Sequence, residues 1–287
     1  MDVMPPRTAD VAGLEVRRSL PQRSRRTVGP WCFVDHFGPT APDDGYRMTV
    51  GPHPHIGLST VTWILEGEAV HTDSVGSEQT IRPGQLNLMT AGHGIAHAEE
   101  TPVGREGRLH GVQFWVAQPE ATRHGAGAFE HHGELPEVGT GVLRATVLVG
   151  SLFDATSPAR ADSPMVGADL RIGAGLVELP LDPAFEHAVV PLDGAIRVGG
   201  TAVARDALVH LPPGPSSVEL ESTDAGRALL VGGEPFEAPV LMWWNFVART
   251  RDEIDRATAD WNAGSDRFGA VASGLARIPA PATPWGG

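Results

Sequence analysis

Glycine and proline interrupt this chain so often and so evenly that no long helix can run through most of it. They number 35 and 25 of 287 residues, about a fifth of the sequence, while 41% of the residues are hydrophobic. Proline removes a backbone donor and glycine loses the most conformational freedom on ordering, so both belong at turns and not inside regular elements. Enough apolar content for a core, cut into short pieces, is the pattern of an all-β chain. Alternating or apolar runs recur at 59–65, 85–90, 112–116, 142–149, 176–181, 195–198, 207–211, 217–220 and 227–231, and each is a predicted strand. A length of 287 residues exceeds the usual single all-β domain and predicts two domains or one duplicated domain.

The stretch between Arg123 and Gly141 is rich in glycine and histidine without apolar periodicity, and the domain boundary is placed there. The reading is a first domain over 1–123, a connection over 124–140, a second domain over 141–231 and a closing segment over 232–287. An internal echo supports duplication: Leu65-Glu66-Gly67 matches Leu192-Asp193-Gly194, and Leu86 through Gly92 can be laid on Leu208 through Gly214. The second copy has the shorter hairpin, with Gly199-Gly200 as its tight turn. In the closing segment Thr250 and Glu253 form a capping-box pattern, with Ile254, Ala257 and Trp261 on one face, and this is the one predicted helix. Pro279, Pro281 and Pro284 mark the end as a poorly ordered or surface-hugging tail.

The charge balance excludes several chemistries. All 22 basic residues are arginine, against 35 Asp and Glu, for a net charge of −13. Direct nucleic-acid binding is not expected of such a chain. The arginines from Arg17 to Arg26 read as a solvated surface paired with acidic neighbours. The absence of lysine removes phosphate-binding loops of the P-loop type, Schiff bases and lysine general bases. A single cysteine, Cys32, can form no internal disulfide, redox pair or multi-cysteine zinc site. A cytoplasmic location is expected, with no membrane partner, since no run of 18 apolar residues occurs.

The segment Pro52-His53-Pro54-His55 carries the chemistry. In an extended chain residues two apart project to the same face, so His53 and His55 aim both imidazoles at one point. His97 and Glu99 repeat the spacing with an imidazole and a carboxylate. Strands facing each other across a small barrel would bring the pairs together as three nitrogens and one oxygen around a divalent transition metal, with open positions left. A lone His-x-His pair in an acidic chain is usually a solvated strand face. Two such pairs on inner faces are more economically satisfied by a shared ion. His71, six residues beyond Leu65, either orients a ligand or bonds Asp73. His93 is a loop histidine near the entrance, Gln113 and His110 are candidate pocket-lining residues, and Trp243 and Trp244 are expected in packing.

The run PHPHIGLSTVTWILEGE, followed by HTDS and then RPGQLNLMTAGHGIAHAEE, resembles the pirin family of the cupin superfamily. RRSLPQRSRRTVGPWCFVDHFGP and GGEPFEAPVLMWWNFV are similar to the family's opening and closing segments. The resemblance implies two all-β cupin domains, β-barrels or sandwiches, with a short C-terminal helix and one metal, usually iron, in the N-terminal domain. It places the metal ligands on His53, His55, His97 and Glu99. Ser59 and Thr60 stand where the generic cupin pattern has its glutamate. The echo puts Pro180 and Asp182 at the places of His53 and His55, and Glu219 and Glu221 at those of His97 and Glu99. The second domain is therefore expected to be metal-free, with His187 and His210 as structural or surface residues.

The resemblance also implies an activity. Pirins are associated with oxygen-dependent cleavage of flavonols such as quercetin, so the expected partners are a small aromatic substrate and O2, with Glu99 as catalytic base. The alternative it implies is a regulatory protein, a transcriptional co-regulator or modulator of a metabolic enzyme, whose binding surface follows the oxidation state of the metal.

Overall fold

The computed structural model describes residues 1–41 and 47–285. Half of the chain is strand and 6% is helix, as the spacing of glycines and prolines predicts. Every predicted strand segment falls on a strand: 59–65 lies within Leu58–Glu66 and 227–231 within Gly226–Gly233. Gly199 and Gly200, at φ of 54° and 74°, join Ile196–Val198 to Thr201–Val203. Positive φ at both residues gives a two-residue turn the hand that matches strand twist. The 124–140 stretch carries two strands, Ala128–His132 and Glu137–Thr140.

The chain forms two compact units. One comprises Met1–Ala9, Glu15–His36 and His132–Phe236, and the other Asp10–Leu14, Phe37–His131 and Glu237–Gly287. The second of these carries the predicted ligands. One of its sheets runs Thr49–His55, Ile95–Glu100, Ala69–Asp73, Glu78–Ile81, and another places Leu58–Glu66 between Leu86–Thr90 and His110–Ala117. The other unit repeats both orders. Gly175–Pro180, Ser217–Ser222, Ile196–Val198 and Thr201–Val203 form one sheet, and Glu186–Asp193 lies between Leu208–Leu211 and Gly226–Gly233 in the other. The echo in the sequence is thus a repeat of topology.

The ladders correct the residue correspondence drawn from that echo. Pro180 pairs with Ser217, and Glu178 with Glu219. The inward positions of these two strands are Val177, Leu179, Val218 and Leu220, all in the apolar core of the unit. Pro180, Asp182, Glu219 and Glu221, expected at ligand positions, lie outside that core. The connection 181–185 is longer than the Ile56-Gly57 link of the other unit, so an alignment anchored on the following strand slips on the preceding one. A slip of one residue turns every side chain to the opposite face. The residues that do face inward are valine and leucine, which offer no ligand atom.

The predicted helix spans Arg251–Ala263 with its capping box formed, and it ends at Gly264 in the left-handed region at φ 69°. Ile254, Ala257 and Trp261 are its buried residues. They share a cluster with Ile56, Ala96, Phe246 and Phe268, against which Trp243 and Trp244 pack as expected. Truncating a fully buried aromatic such as Phe246 in this cluster costs about 3–5 kcal/mol. The tail lies along the surface: the Ile278 amide donates to the Pro52 carbonyl at 2.9 Å, and the Trp285 indole donates to Asp255. Gly286 and Gly287, at the end of the predicted tail, lie outside the described residues. In the other unit Arg17 pairs with Asp206, Arg18 with Asp35 and Arg25 with Glu186, the acidic pairing expected of this basic stretch.

Gly57 reverses the chain between the Thr49–His55 and Leu58–Glu66 strands. Its φ is +65°, and a Cβ there would sit 2.2 Å from the Val247 carbonyl oxygen. Gly57→Ala is predicted to lower stability by about 2 kcal/mol or more, through the left-handed backbone and the clash together. Denaturant unfolding of the two proteins measures this, and an unchanged midpoint would contradict the reading.

Candidate metal centre

Three of the four predicted ligands converge. One ring nitrogen each of His53, His55 and His97 lies within 4.8 Å of the others, and all three residues are buried. The Thr49–His55 and Ile95–Glu100 strands run antiparallel with His53 opposite His97 and His55 opposite Ile95. Alternation puts both His53 and His55 on the inner face, as the i, i+2 spacing predicts. The ring centroids of His53 and His97 are 4.3 Å apart, and those of His55 and His97 are 5.0 Å apart. Nε2 of His55 stands 3.1 Å from Nε2 of His97.

The fourth predicted ligand stands apart from this cluster. Glu99 pairs with Val50 on one side and His71 on the other, and the ladder to the Thr49–His55 strand is irregular between His97 and Glu99. Burial raises the pKa of its carboxyl.

Hydrogen bonds fix which nitrogen of each imidazole is bare. Nδ1 of His53 lies 2.9 Å from the Gly51 carbonyl oxygen, and Nδ1 of His55 lies 2.9 Å from that of Asn245. A carbonyl only accepts, so both Nδ1 atoms carry the proton and both Nε2 atoms are lone pairs. For His97 the same result comes through a relay. The Asp73 carboxylate accepts from the amides of Val75 and Ser77 and lies 2.9 Å from His71 Nε2. Burial by itself would raise its pKa, but the hydrogen bonds from His71 and Ser77 hold it below the usual range. A neutral His71 that donates from Nε2 accepts at Nδ1, which lies 3.2 Å from His97 Nδ1. His97 donates there, and its Nε2 faces His55 as a lone pair. His71 thus lies between Asp73 and His97, bonding the one and meeting the other, and its ring stacks on Phe129 at 4.4 Å.

All three imidazoles are neutral. Burial lowers the pKa of His53 to about 4, and burial followed by the neighbouring histidines takes His55 and His97 well below their ordinary value. Two bare nitrogens 3.1 Å apart repel unless a cation lies between them. Ligands about 2.1 Å from one ion and at right angles stand about 3 Å apart. The donor set, its protonation and its spacing all fit a divalent metal.

The remaining candidates lie elsewhere. His93 is exposed in its loop. Gln113 accepts a hydrogen bond from Thr62 Oγ1 at 2.9 Å, and His110 lies 3.8 Å from Glu66. The carbonyl of Asn245 belongs to the site without any signal in the sequence, because a backbone oxygen has no residue type. Trp115, whose ring meets His55 edge-on at 5.3 Å, was visible only as a strand residue.

Comparison with known proteins agrees with this geometry. A fold of two repeated β units with a buried histidine cluster in one is that of a cupin pair. The chain matches the pirin domain over residues 13–116 and the pirin C-terminal cupin domain over residues 168–269. A Pseudomonas aeruginosa relative, provisionally named a quercetin 2,3-dioxygenase, is 46% identical over 282 residues, with 97% of this chain and 89% of the relative covered. A pirin-like protein of Caulobacter vibrioides is 38% identical, with 90% and 91% covered. The crystal structure of a quercetin 2,3-dioxygenase from Acinetobacter baumannii superposes with a TM-score of 0.94 at 44% identity, covering 99% and 95% of the two chains. The chain belongs to the pirin family. No helix among the described residues is long and apolar enough to cross a membrane.

Two outcomes follow from the protonation of the cluster. The folded protein holds imidazoles whose pKa lies below the unfolded value near 6.5, so the unfolded chain binds more protons at mildly acidic pH. Stability of the metal-free protein is therefore full above about pH 6.5 and falls as pH drops towards 4, by up to about 1.4 kcal/mol per pH unit for each histidine. Denaturant melts at pH 7 and pH 5 measure this, and equal stabilities would contradict it. Secondly, His97→Ala is expected to abolish or strongly weaken metal binding while His187→Ala leaves it intact. Equal metal content in the two variants, by elemental analysis, would show the assignment wrong.

Proposed function

We propose that this pirin is an iron-dependent dioxygenase of the cytoplasm that opens flavonol-type substrates such as quercetin, with His53, His55, His97 and Glu99 as the metal ligands. The observation that carries the reading is the convergence of three buried imidazoles, one ring nitrogen of each within 4.8 Å of the others. The names of the Pseudomonas and Acinetobacter relatives support the substrate class. Iron is the metal that dioxygen chemistry favours. A bacterial pirin of Escherichia coli was crystallised with nickel(II).

A divalent iron bound there would supply Lewis acidity towards adjacent hydroxyl and carbonyl oxygens and electrons for O2. The residues of the chain do the rest. His53, His55 and His97 would hold the ion, and the Gly51 and Asn245 carbonyls and the Asp73–His71 pair fix the orientation of their rings. Glu99 takes the substrate's hydroxyl proton. A half-buried carboxyl with a raised pKa is a stronger base than one in water, and closer to the acidity of a metal-polarised phenolic hydroxyl. The buried aromatic and apolar surroundings, Trp115 among them, keep water from the reacting oxygens.

The second reading, a regulatory protein that senses the state of the metal, shares the same ligands and differs in having no turnover. Glu99→Gln distinguishes the roles. An amide oxygen still coordinates but takes up no proton at neutral pH, so the variant is expected to retain part of its iron and lose flavonol-dependent oxygen uptake by at least about a hundredfold. Iron content and oxygen uptake are measured on one anaerobically loaded preparation. A loaded variant with undiminished uptake would remove the base role, and a loaded wild-type protein with no uptake would favour regulation.

A further inference from the structure

The unit without the histidine cluster keeps a cavity of its own. It has a volume of about 370 Å³ and opens at one end of that unit, between the 150–156 hairpin, the start of the Met165–Ile172 strand and the 181–185 connection. Leu152, Val166 and Leu230, all buried in the core, form its apolar lining, and Phe185 adds an aromatic ring. This size and lining lie within the range of small-molecule pockets, though near its lower end.

Polar groups are few and specific. His187 is 2% exposed and lines the cavity beside Phe185, their ring centroids 5.9 Å apart. It lies on the same strand face as the core residue Val189, so it points into the interior. Its ring is held by the Phe185 backbone carbonyl, and burial lowers its pKa to about 4. A neutral imidazole that donates from one nitrogen accepts at the other. The hydroxyl of Ser163, also lining the cavity, is buried without a hydrogen-bond partner, and such a group favours a ligand that satisfies it. Asp182, exposed at the rim, together with the chain's −13 charge, disfavours anions.

We propose that this cavity is a second binding site, independent of the metal centre, for a small neutral phenol whose hydroxyl meets His187 and Ser163 and whose ring lies against Phe185 and Leu230. An apolar wall selects a ring, an acceptor nitrogen with a hydroxyl selects an O–H, and the acidic rim rejects carboxylates. The ring count is one or two, set by the volume.

The test titrates the full-length protein with p-cresol, p-xylene and p-toluate, following the histidine ring signals by nitrogen-15 NMR. The expected result is saturable binding of p-cresol that shifts His187, with p-xylene and p-toluate weaker by about tenfold or more. His187→Phe, which keeps the ring and its packing, is expected to lower p-cresol affinity about tenfold and leave p-xylene unchanged. His97→Ala, which disables the metal centre, is expected to leave p-cresol binding intact. Equal affinities for p-cresol and p-xylene, or shifts confined to His53, His55 and His97, would overturn the proposal. Where His187→Phe does not fold, Ser163→Ala decides the matter: an affinity for p-cresol unchanged from wild type would overturn it equally.

Discussion

Everything in the unit that carries the histidine cluster depends on keeping three imidazoles neutral and turned the same way. An imidazole has two nitrogens, and a buried one left alone has no preference between them. Here each Nδ1 is occupied: by the Gly51 carbonyl, by the Asn245 carbonyl, and by His71 in turn held by Asp73. The three Nε2 lone pairs then have one place to point. Each of these bonds is modest by itself, but in a buried site an unmade one would leave a polar group stranded. Burial and hydrogen bonding therefore act together, one keeping the rings uncharged and the other choosing the nitrogen.

The fold supplies these contacts from far apart in the chain. Gly51 is two residues from His53, whereas Asn245 comes from the closing segment, which packs Phe246 and the helix residues Ile254, Ala257 and Trp261 against Ile56 and Ala96. Ile56 and Ala96 adjoin His55 and His97 in sequence, so the helix stabilises the site by fixing the strands that bear the ligands. Gly57 is the conformational requirement in this arrangement, since the chain reverses there against the Val247 carbonyl. The other unit has the same strand order with valine and leucine turned inward at these positions, where a metal has nothing to bind.

Much of this was legible in the residues. Short strands followed from the placement of glycine and proline, and His53, His55 and His97 followed from period-two spacing, because a side chain two residues on returns to the same face whatever the rest of the fold does. The capping box at Thr250 and Glu253 was readable for the same reason, being local. What lay hidden was non-local or lacked a side-chain signature. The role of the Asn245 carbonyl is one example. The inward faces of the second unit are another: the echo between Leu65-Glu66-Gly67 and Leu192-Asp193-Gly194 marked the repeat correctly, yet the longer 181–185 connection displaced Pro180 and Asp182, and the ladder turns Val218 and Leu220, not Glu219 and Glu221, to the inner face. Loop length sets register, and register is invisible until the strands are paired.

The central claim is that the protein presents three neutral histidines, each protonated at Nδ1 and bare at Nε2, to a single ion. Long-range proton–nitrogen-15 correlation spectra of the metal-free protein at pH 7 read both the charge and the tautomer of every histidine ring. The account predicts that His53, His55 and His97 all appear as the neutral Nδ1–H form, and that one equivalent of zinc(II) shifts these three Nε2 signals while leaving His187 and His210 unmoved. An Nε2–H tautomer or a charged ring at any of the three, or a zinc response at His187, would contradict it.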